Sequence, residues 1–342
     1  MSEERMKILK MVENGTISAE EGEKLLKAVE YSKEEEGKAS AGRKYGLKDF
    51  VGEALDKIKN ADFDLSFGDS VEFKYHLETG DEAFHDLDIS IANGSLHLEP
   101  WQETYAQAEC HVKVYQANDE KEAKEQFLAD GQFDVTNGIL RFANPSKKIK
   151  TFVKLYLPSK RYDFIKARLS NGTITSHDVV SDHFHLKTTN GSLRVKRSNG
   201  ESCKLETGNG SVTIAESKFD VCEADTINGS VKLDGQFGKS DASAVTGSIT
   251  VNNDGETAHT GFFKTTTGQI TVSLPENKRI DGKISTSMGS LNCDIENYKI
   301  LRNKKEMISK ELVFEARENY EQVYHFEADT KTGSVTVKDV SI

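Results

Sequence analysis

Three histidines close together in the sequence are the residues best suited to bind a metal ion. His183 and His185 flank Phe184, so on a strand both imidazoles would point to the same face. His177 comes shortly before them, and aspartates lie nearby. Imidazole and carboxylate groups are common ligands of zinc and other transition metals. The sequence therefore marks His177, His183 and His185 as a candidate metal site, although solvated surface histidines are the commoner explanation of such a cluster.

A glycine-rich phrase from Thr207 to Gly210 resembles a phosphate-binding loop. Such loops continue with Gly-Lys-Ser/Thr and open a helix, whereas here a strand-like Ser-Val-Thr-Ile follows, so we interpret the phrase as a turn. Outward serines and threonines could form a flat hydroxyl face that binds ice or glycans. Arg194 and Lys232 interrupt that face, and threonine is in any case a good exposed strand residue.

Catalytic arrangements are not apparent in the sequence. β-helix enzymes that cleave polysaccharides carry clustered acidic and basic residues on one outward column, whereas Glu206 and Asp225 are interpreted here as isolated. We find no spacing that supports a Ser-His-Asp or Cys-His arrangement. The sequence therefore predicts a protein that is not an enzyme and uses no cofactor.

A short repeated phrase organises the middle of the chain and must position all of these residues. It reads Asn-Gly-Ser-Val-Thr-Ile at 209–214 and Asn-Gly-Ser-Val-Lys-Leu at 228–233. Steps of 18 to 21 residues separate its glycines, and such regular steps are typical of repeat architectures. Outlying copies occur at Gly94, Gly138 and Gly333. The predicted turn glycines are Gly172, Gly191, Gly210, Gly229, Gly247, Gly268 and Gly289.

Each repeat predicts two strands joined at its glycine. Val212 and Ile214 follow Gly210 with polar residues between them, and Leu205 and Thr207 precede it in the same alternation. This period of two is typical of a strand with one buried face. Successive β-hairpins would also use Asn-Gly turns, but they would not keep a constant 19-residue offset over several copies.

A solenoid does require that offset, because each coil lies on the previous one and like residues stack about 4.8 Å apart. One such column is Ile165, Phe184, Cys203 and Cys222, each seven residues before its glycine. We therefore predict a mainly β fold, a single-stranded, β-helix-like β-solenoid with coils of 19 residues. The number of sides and the handedness are left open.

The four cysteines show no Cys-x-x-Cys spacing, so no zinc framework is predicted. Cys203 and Cys222 are one repeat apart in the inward column, and adjacent coils would bring them within disulfide range. Two stacked, buried thiols in a reducing compartment are the favoured interpretation.

Composition limits the classes of partner and the location. Only 36% of the 342 residues are hydrophobic, which suits a solenoid because half of every strand faces water. The net charge of −11 argues against nucleic acid and anionic lipid surfaces as main partners. No window approaches 18 apolar residues, so no transmembrane segment is predicted. The charged N-terminus lacks an apolar signal core, and we expect a cytoplasmic protein, with or without membrane association. Surface exposure by a non-classical route is the alternative.

Residues 1–30 predict a helical hairpin. Asn14-Gly15 breaks the helical pattern, and a capping box runs from Ser18 to Glu21. Thirty residues cannot bury a core of their own, so the hairpin must dock on the solenoid, a copy of itself or a partner. The predicted docking residues are Leu9, Val12, Leu25, Leu26 and Val29.

The remaining segments complete the predicted organisation. A charged linker and an amphipathic helix are expected over 31–62, followed by the solenoid over 63–342. Helical inserts are expected near 118–130 and 296–325. The final coil, Phe326 to Val337, is expected to leave a sheet edge that needs protection near the C-terminus.

Two stretches resemble a known family. The Gly-Ser-Val/Ile/Leu-x-Val/Ile coils, with Leu-Pro phrases at Leu157-Pro158 and Leu274-Pro275, resemble the bacterial adhesin-type β-strand-repeat domain of unknown function. Residues Glu4 to Ala28 resemble the short, SHOCT-like helical hairpin that precedes this domain in LiaX/YvlB-like proteins of Gram-positive bacteria. Together the two resemblances cover nearly the whole chain.

The resemblance implies a non-enzymatic scaffold or sensor associated with cell-envelope stress. Such a protein would act by protein–protein interaction in the company of envelope-stress membrane proteins, with the hairpin as a possible means of homo-oligomerisation. The family defines no catalytic or ligand-binding residues that could be carried over. The alternative is a surface adhesin that binds a glycan or a membrane-active peptide. A carbohydrate-active enzyme would require converging carboxylates and basic residues on adjacent coils.

Overall fold

A computed structural model describes residues 69–80, 82–306 and 308–339. The predicted helical hairpin, with Leu9, Val12, Leu25, Leu26 and Val29, and the predicted linker and helix over 31–62 lie outside the described residues.

The described residues are mainly β-strands, with one helix. The helix is α1 (Glu120–Asp130), within the segment for which the first helical insert was predicted. The strands are β1 (Ser70–Glu78), β2 (Asp86–Trp101), β3 (Gln107–Tyr115), β4 (Gln132–Thr136), β5 (Ile139–Asn144), β6 (Ile149–Pro158), β7 (Arg161–His177), β8 (Val180–Asn190), β9 (Leu193–Lys196), β10 (Asn199–Asn209), β11 (Val212–Asn228), β12 (Val231–Thr246), β13 (Ile249–Asn253), β14 (Thr260–Thr267), β15 (Ile270–Leu274), β16 (Arg279–Met288), β17 (Leu291–Asp294), β18 (Lys299–Lys305), β19 (Lys310–Ala316), β20 (Val323–Thr332) and β21 (Val335–Asp339).

Residues one repeat apart stack on parallel strands, as the spacing predicted. Val212 on β11 pairs with Val231 on β12, and both side chains are buried. The predicted inward column is also continuous, since Phe184 pairs with Ile165 on one side and Cys203 on the other, and Cys203 pairs with Cys222. The mainly β, solenoid prediction is therefore confirmed.

Each regular coil turns at two kinds of corner. One is the glycine of the repeat, and the other is a residue with left-handed backbone: Asp178, Arg197 and Glu216 have φ of 58°, 50° and 51°. These residues are also 19 apart, so the second corner repeats with the first. Arg197 spans two of these corners, because its guanidinium donates two hydrogen bonds of 2.7 Å to the Asp178 carboxylate.

The order of coils along the stack departs from the order of the chain at both ends. From one end to the other, the stacked strands are β5–β6, β2, β7, β8–β9, β10 with the start of β11, the rest of β11 with the start of β12, the rest of β12 with β13, β14–β15, β20–β21 and β16–β17.

The expectation that the final coil leaves a sheet edge is therefore wrong. β20 and β21 lie between the coil β14–β15 and the coil β16–β17, and they pair with both. The last coil in the sequence is therefore inserted between two coils that precede it in the chain.

The second predicted helical insert, near 296–325, is also wrong. Its core is an antiparallel pair, β18 with β19, and β19 in turn pairs antiparallel with β16. Leu312 and Phe314 alternate inward and are buried, which fits a strand. Basic and acidic residues of this segment form cross-strand ion pairs, for example Arg302 with Glu311 at 3.4 Å.

Antiparallel strands also cover the other end of the stack. β3 pairs with β6 and β1 with β3, while β4 pairs with β5. Helix α1 begins at the N-cap Asp119, whose side chain accepts a 2.8 Å hydrogen bond from the Glu122 amide. Phe127 of α1 packs edge-on against Phe73 and Tyr75 of β1, with ring centroids 5.9 Å apart in both cases.

Gly138 is therefore not a coil glycine, although its Asn-Gly phrase looked like an outlying copy of the repeat. Asn137 and Gly138 have φ of 54° and 75° and form the tight turn between antiparallel β4 and β5.

Large and small side chains alternate between neighbouring core columns. In the column Ile165, Phe184, Cys203 and Cys222, the large Phe184 lies beside the small Ser181 and Gly200 of the neighbouring column. Further along the stack the order is reversed, and the large Phe219 of the neighbouring column lies beside the small Cys222. The Phe184 and Phe219 rings meet edge-to-face with centroids 5.7 Å apart.

Cys203 and Cys222 are free, buried thiols, which agrees with the favoured interpretation. In the part of the chain that the structure describes, no helix has the length and apolar character needed to cross a bilayer.

Candidate binding surface

The predicted turn glycines form one column whose role is structural. A Cβ atom on Gly210 would lie 2.0 Å from the carbonyl oxygen of Gly191, and Gly210 has a φ of +155°. Only glycine satisfies both constraints. The same contact, between the Cβ position and the carbonyl oxygen of a stacked glycine, recurs at Gly172, Gly191, Gly210, Gly229, Gly247, Gly268 and Gly289.

Two side-chain ladders line the glycine column. Asn228 donates to the Asn209 side-chain oxygen at 2.8 Å, and Asn209 donates in the same way to Asn190 at 2.8 Å. Inside the coils, Thr226 donates to the Gly210 carbonyl at 2.9 Å. These bonds satisfy polar groups that the stacking would otherwise leave unpaired. The asparagine ladder comprises Asn93, Asn171, Asn190, Asn209 and Asn228.

The three histidines of the candidate metal site have separate partners. The His177 ring packs edge-on against His97 with centroids 5.1 Å apart, and burial followed by the charge of His97 lowers its pKa. His183 Nδ1 lies 2.8 Å from the Ser202 hydroxyl, and His185 Nε2 lies 2.9 Å from a Glu206 carboxylate oxygen. The coils thus pair each imidazole with a neighbour on an adjacent strand instead of with each other.

Acidic residues on this outward face are not isolated, contrary to the sequence-based interpretation. Glu206 pairs in register with Asp225 on the next coil. The Glu206 side chain is only 8% exposed, and His185, Lys187 and Lys204 lie within 2.9, 3.9 and 3.8 Å of it. Burial opposes its ionisation, but the His185 hydrogen bond and the lysine charges outweigh burial and lower the pKa. Glu206 is therefore ionised and lies at the centre of a network of hydrogen bonds and ion pairs. It is unsuited to act as a general acid, which needs a raised pKa.

Another group of potential ligands lies at the first coils. Within the described ranges, His85, Asp86 and Asp163 form the set whose ligand atoms all lie within 4.8 Å of one another. His85 Nδ1 is 3.4 Å from Asp86 and 3.3 Å from Asp163, and the His85 and Asp163 side chains are 57% and 70% exposed. Exposed carboxylates commonly orient a histidine in this way without an ion, so we assign no metal.

Partly or fully exposed aromatic residues gather on the outward face of β2, β3 and β6 and on the loop between β2 and β3. The Trp101 ring stacks on Tyr156 with centroids 5.2 Å apart and meets Tyr105 edge-on at 4.9 Å. The indole N–H donates a 2.7 Å hydrogen bond to the Tyr105 carbonyl, which fixes the ring and the loop together. Further along β6, Phe152 is 37% exposed and stacks on His111 at 5.9 Å. We call Trp101, Tyr105, His111, Phe152 and Tyr156 the aromatic surface.

Lysines border the aromatic surface. Lys154 lies 4.6 Å from the Tyr156 ring centroid and Lys150 lies 5.3 Å from that of Phe152. Lys154 also forms a 2.7 Å ion pair with Glu99, which helps to lower the Glu99 pKa against the opposing effect of burial. A second carboxylate, Glu109, is in register with Lys154 and accepts a 3.4 Å hydrogen bond from the Tyr156 hydroxyl. The surface is therefore aromatic, with lysines of which Lys154 is already paired with an acidic neighbour.

An open depression of about 370 Å³ adjoins Trp101. Exposed residues of the 102–104 loop form one side, and Phe84 and Lys160 form another. Lys160 Nζ lies 4.5 Å from the Phe84 ring centroid and donates to the Phe84 carbonyl, and burial lowers its pKa. The depression extends the aromatic surface toward the coil corner at Pro158.

The aromatic surface is not among the sites predicted from the sequence, because its residues come from strands that are distant in the chain. Tyr156 and Glu99 are in register only because β6 stacks on β2, outside the regular repeat. The available signal was the alternation of lysine with aromatic residues over Lys150, Phe152, Lys154 and Tyr156.

Comparisons with known proteins agree with this architecture. The family model described as Toastrack DUF4097 matches residues 87–338, and a SHOCT-like domain model matches residues 3–34. The uncharacterised protein YvlB of Bacillus subtilis (strain 168) is 32% identical, over 99% of this chain and 99% of that protein.

Two solved structures are also similar. A "putative adhesin" from Parabacteroides merdae is 14% identical with a TM-score of 0.45, and the match covers 80% of this chain and 97% of that chain. Another from Parabacteroides distasonis is 12% identical with a TM-score of 0.44, covering 79% and 97%. The family-model match over residues 87–338 and the relative that is 32% identical confirm the resemblance drawn from the coil and hairpin motifs, and the chain belongs to the Toastrack (DUF4097) family.

Proposed function

We propose that the protein is a non-enzymatic scaffold or sensor of the cell-envelope stress response that binds a protein partner through the aromatic surface. The observation that carries this proposal is the cluster of Trp101, Phe152 and Tyr156 on one outward sheet face. Aromatic side chains are enriched at the energetic centres of protein interfaces because they bury a large area at a small entropic cost. Their placement on paired strands holds them in a fixed arrangement.

The shape of the surface favours a protein over a small metabolite. Metabolite sites are enclosed and mostly apolar, whereas this surface is an open sheet face next to a shallow depression. Lys150 lies beside the Phe152 ring, so the complementary partner would present apolar groups together with a carboxylate opposite Lys150.

A matched pair of variants tests the proposal. Phe152 and Phe164 are both 37% exposed, and each packs against a histidine with centroids 5.9 Å apart, but only Phe152 belongs to the aromatic surface. Affinity capture of the full chain from envelope-stressed cells should recover a partner with wild type and Phe164→Ala but not with Phe152→Ala. Equal recovery by Phe152→Ala and wild type would contradict the proposal.

A second candidate function is that of an adhesin for glycans or membrane-active peptides. Trp101, Tyr105 and the adjacent depression favour it, because saccharide rings pack well on aromatic side chains beside polar loops. Titration of oligosaccharides and membrane-active peptides into the protein, followed by Trp101 fluorescence, tests it. Protease-accessible protein on intact cells would support this candidate, and recovery from the cytosol alone would exclude it.

We further propose that the N-terminal hairpin mediates self-association and that the protein is cytoplasmic, at or near the membrane. The SHOCT-like match over residues 3–34 and the predicted docking residues support the first point. Light scattering should give a lower mass for Leu25→Asp/Val29→Asp than for wild type, with Glu35→Lys in the linker as control. Cell fractionation tests the location, and recovery only from the cell surface would contradict it.

A further inference from the structure

Asn-Gly pairs are the dipeptides most prone to spontaneous loss of the asparagine amide, because glycine does not hinder attack by its own nitrogen. The described residues contain such pairs both inside and outside the coil stack. Those outside the asparagine ladder begin at Asn137 and Asn199, and those within it begin at Asn93, Asn171, Asn190, Asn209 and Asn228.

The ladder restrains both groups that would have to react. Asn209 donates its side-chain amide to Asn190 and accepts from Asn228, each at 2.8 Å. The attacking nitrogen of the following residue is also engaged, since the Gly210 N–H donates a 2.8 Å hydrogen bond to the Asn228 carbonyl. Rotation of the asparagine side chain toward that nitrogen would break several bonds of the stack.

Asn137 has none of these restraints. It lies at the tip of the β4–β5 turn, is exposed, and makes no side-chain hydrogen bond within the described ranges. Its neighbour Gly138 belongs to a two-residue turn and is not stacked on another glycine. Both reacting groups are therefore free to meet.

His85 is held directly against this turn. A Cβ atom on Gly138 would lie 2.5 Å from His85 Nε2, so the imidazole packs on the glycine. The His85 amide donates a 2.9 Å hydrogen bond to the Gly138 carbonyl, which fixes the two backbones together. Asp86 and Asp163 lie 3.4 and 3.3 Å from His85 Nδ1. Two carboxylates on one side favour the tautomer with its proton on Nδ1 and leave Nε2 as a base facing the turn.

We propose that Asn137 is a site of spontaneous deamidation assisted by His85. His85 Nε2 takes the proton of the Gly138 amide, and the nitrogen forms a bond to Cγ of Asn137. The C–N bond of the side-chain amide breaks, the proton returns to the leaving nitrogen, and ammonia departs. Water then opens the resulting succinimide to aspartate or isoaspartate, so one water is consumed and one ammonia is released.

Peptide mapping by mass spectrometry of the purified full-length protein, aged at neutral pH, tests the proposal. We expect conversion at Asn137 to be several times faster than at Asn190, Asn209 or Asn199. Asn199 is a useful control because Gly200 is packed, with its Cβ position 1.9 Å from the Ser181 carbonyl. After denaturation the sites should convert at similar rates. A preference for Asn137 that persists in the unfolded chain would overturn the structural explanation.

Two variants test the role of His85. His85→Gln should slow conversion of Asn137 severalfold and leave the ladder asparagines unchanged. Asp163→Asn, whose side chain is 70% exposed, should keep the fold and slow Asn137 to a smaller extent. Circular dichroism confirms folding of both proteins. Conversion as fast as wild type in folded His85→Gln, or faster conversion of Asn190 than Asn137 in wild type, would refute the proposal.

Discussion

The Thr226 hydroxyl donates a 2.9 Å hydrogen bond to the carbonyl oxygen of Gly210 on the neighbouring coil. Threonine at this inward position would be a poor core residue without that bond. The contact recurs at other threonines that stand three residues before a coil glycine, such as Thr207 and Thr265. It is missing, for example, at Ala244, which pairs with Thr226. The hydroxyl therefore links one coil to the next at the glycine corner.

Replacement of Thr226 by valine should destabilise the fold. Valine keeps the volume but leaves the Gly210 carbonyl without its side-chain donor, which costs about 1–3 kcal/mol. Urea unfolding measures the change. Thr213→Val, on the outward face of the same strand, is the control and should change stability by less than about 0.5 kcal/mol. Equal stability of the two variants would contradict the proposed role of the hydroxyl.

Replacement of Gly210 by alanine should be more damaging. The new methyl would lie 2.0 Å from the Gly191 carbonyl, on a backbone with φ of +155°. We expect a loss of about 3 kcal/mol or more, because neither the contact nor the backbone can relax without separating coils. Gly80→Ala is the matched control, since nothing lies within 4 Å of its Cβ position. A thermal midpoint unchanged from that of Gly80→Ala would refute the stacking geometry.

The cysteines should react with thiol reagents according to their burial. Burial raises the pKa of Cys203 and of Cys222 and also that of Cys110, which reaches about 12. Because the thiolate is the reactive species, these three should remain unmodified in the native protein. Burial also raises the pKa of Cys293 to about 12, but Cys293 is partly exposed whereas the other three are buried, so it should react first. Site-resolved alkylation measures this order, and native labelling of Cys203 as fast as Cys293 would be inconsistent with the core.

Acid should destabilise the fold partly through Glu206. Its pKa is lowered in the folded state, so its contribution to stability is present above the unfolded value, about 4.3 for glutamate, and is lost as pH falls through the folded pKa. Glu206→Gln removes the ionisable group and should show a flatter decline of urea midpoint with acidification. Glu201→Gln, on an exposed residue, serves as control. A decline in Glu206→Gln as steep as in wild type would rule out this contribution.

The regular coils could be predicted from sequence because their register depends on residue type alone. Val212 and Val231 must stack if inward aliphatic residues recur at equal steps. The ends could not be predicted in the same way. A step of 44 residues separates Gly289 from Gly333. This spacing allows the final coil to lie either at the end of the stack, beyond β16–β17, or between β16–β17 and β14–β15. Only the packing of β19 on the free edge of β16 decides between them.

The side-chain partners were less predictable than the fold. The pairing of His185 with Glu206 joins residues 21 apart and depends on the exact register of two strands. Likewise, Trp101 meets Tyr156 only because an irregular coil precedes the repeats. Local patterning fixes which face a residue occupies, but neighbours across coils depend on corner geometry that varies from repeat to repeat.

Fluorescence of Trp101, the only tryptophan in the chain, tests the proposed binding role most directly. Full-length protein mixed with the partner recovered from stressed cells should show a shifted or quenched emission. Phe164→Ala should retain this response and Phe152→Ala should lose it. A complex demonstrated by light scattering, with Trp101 emission unchanged, would show that the partner binds elsewhere and would contradict the account.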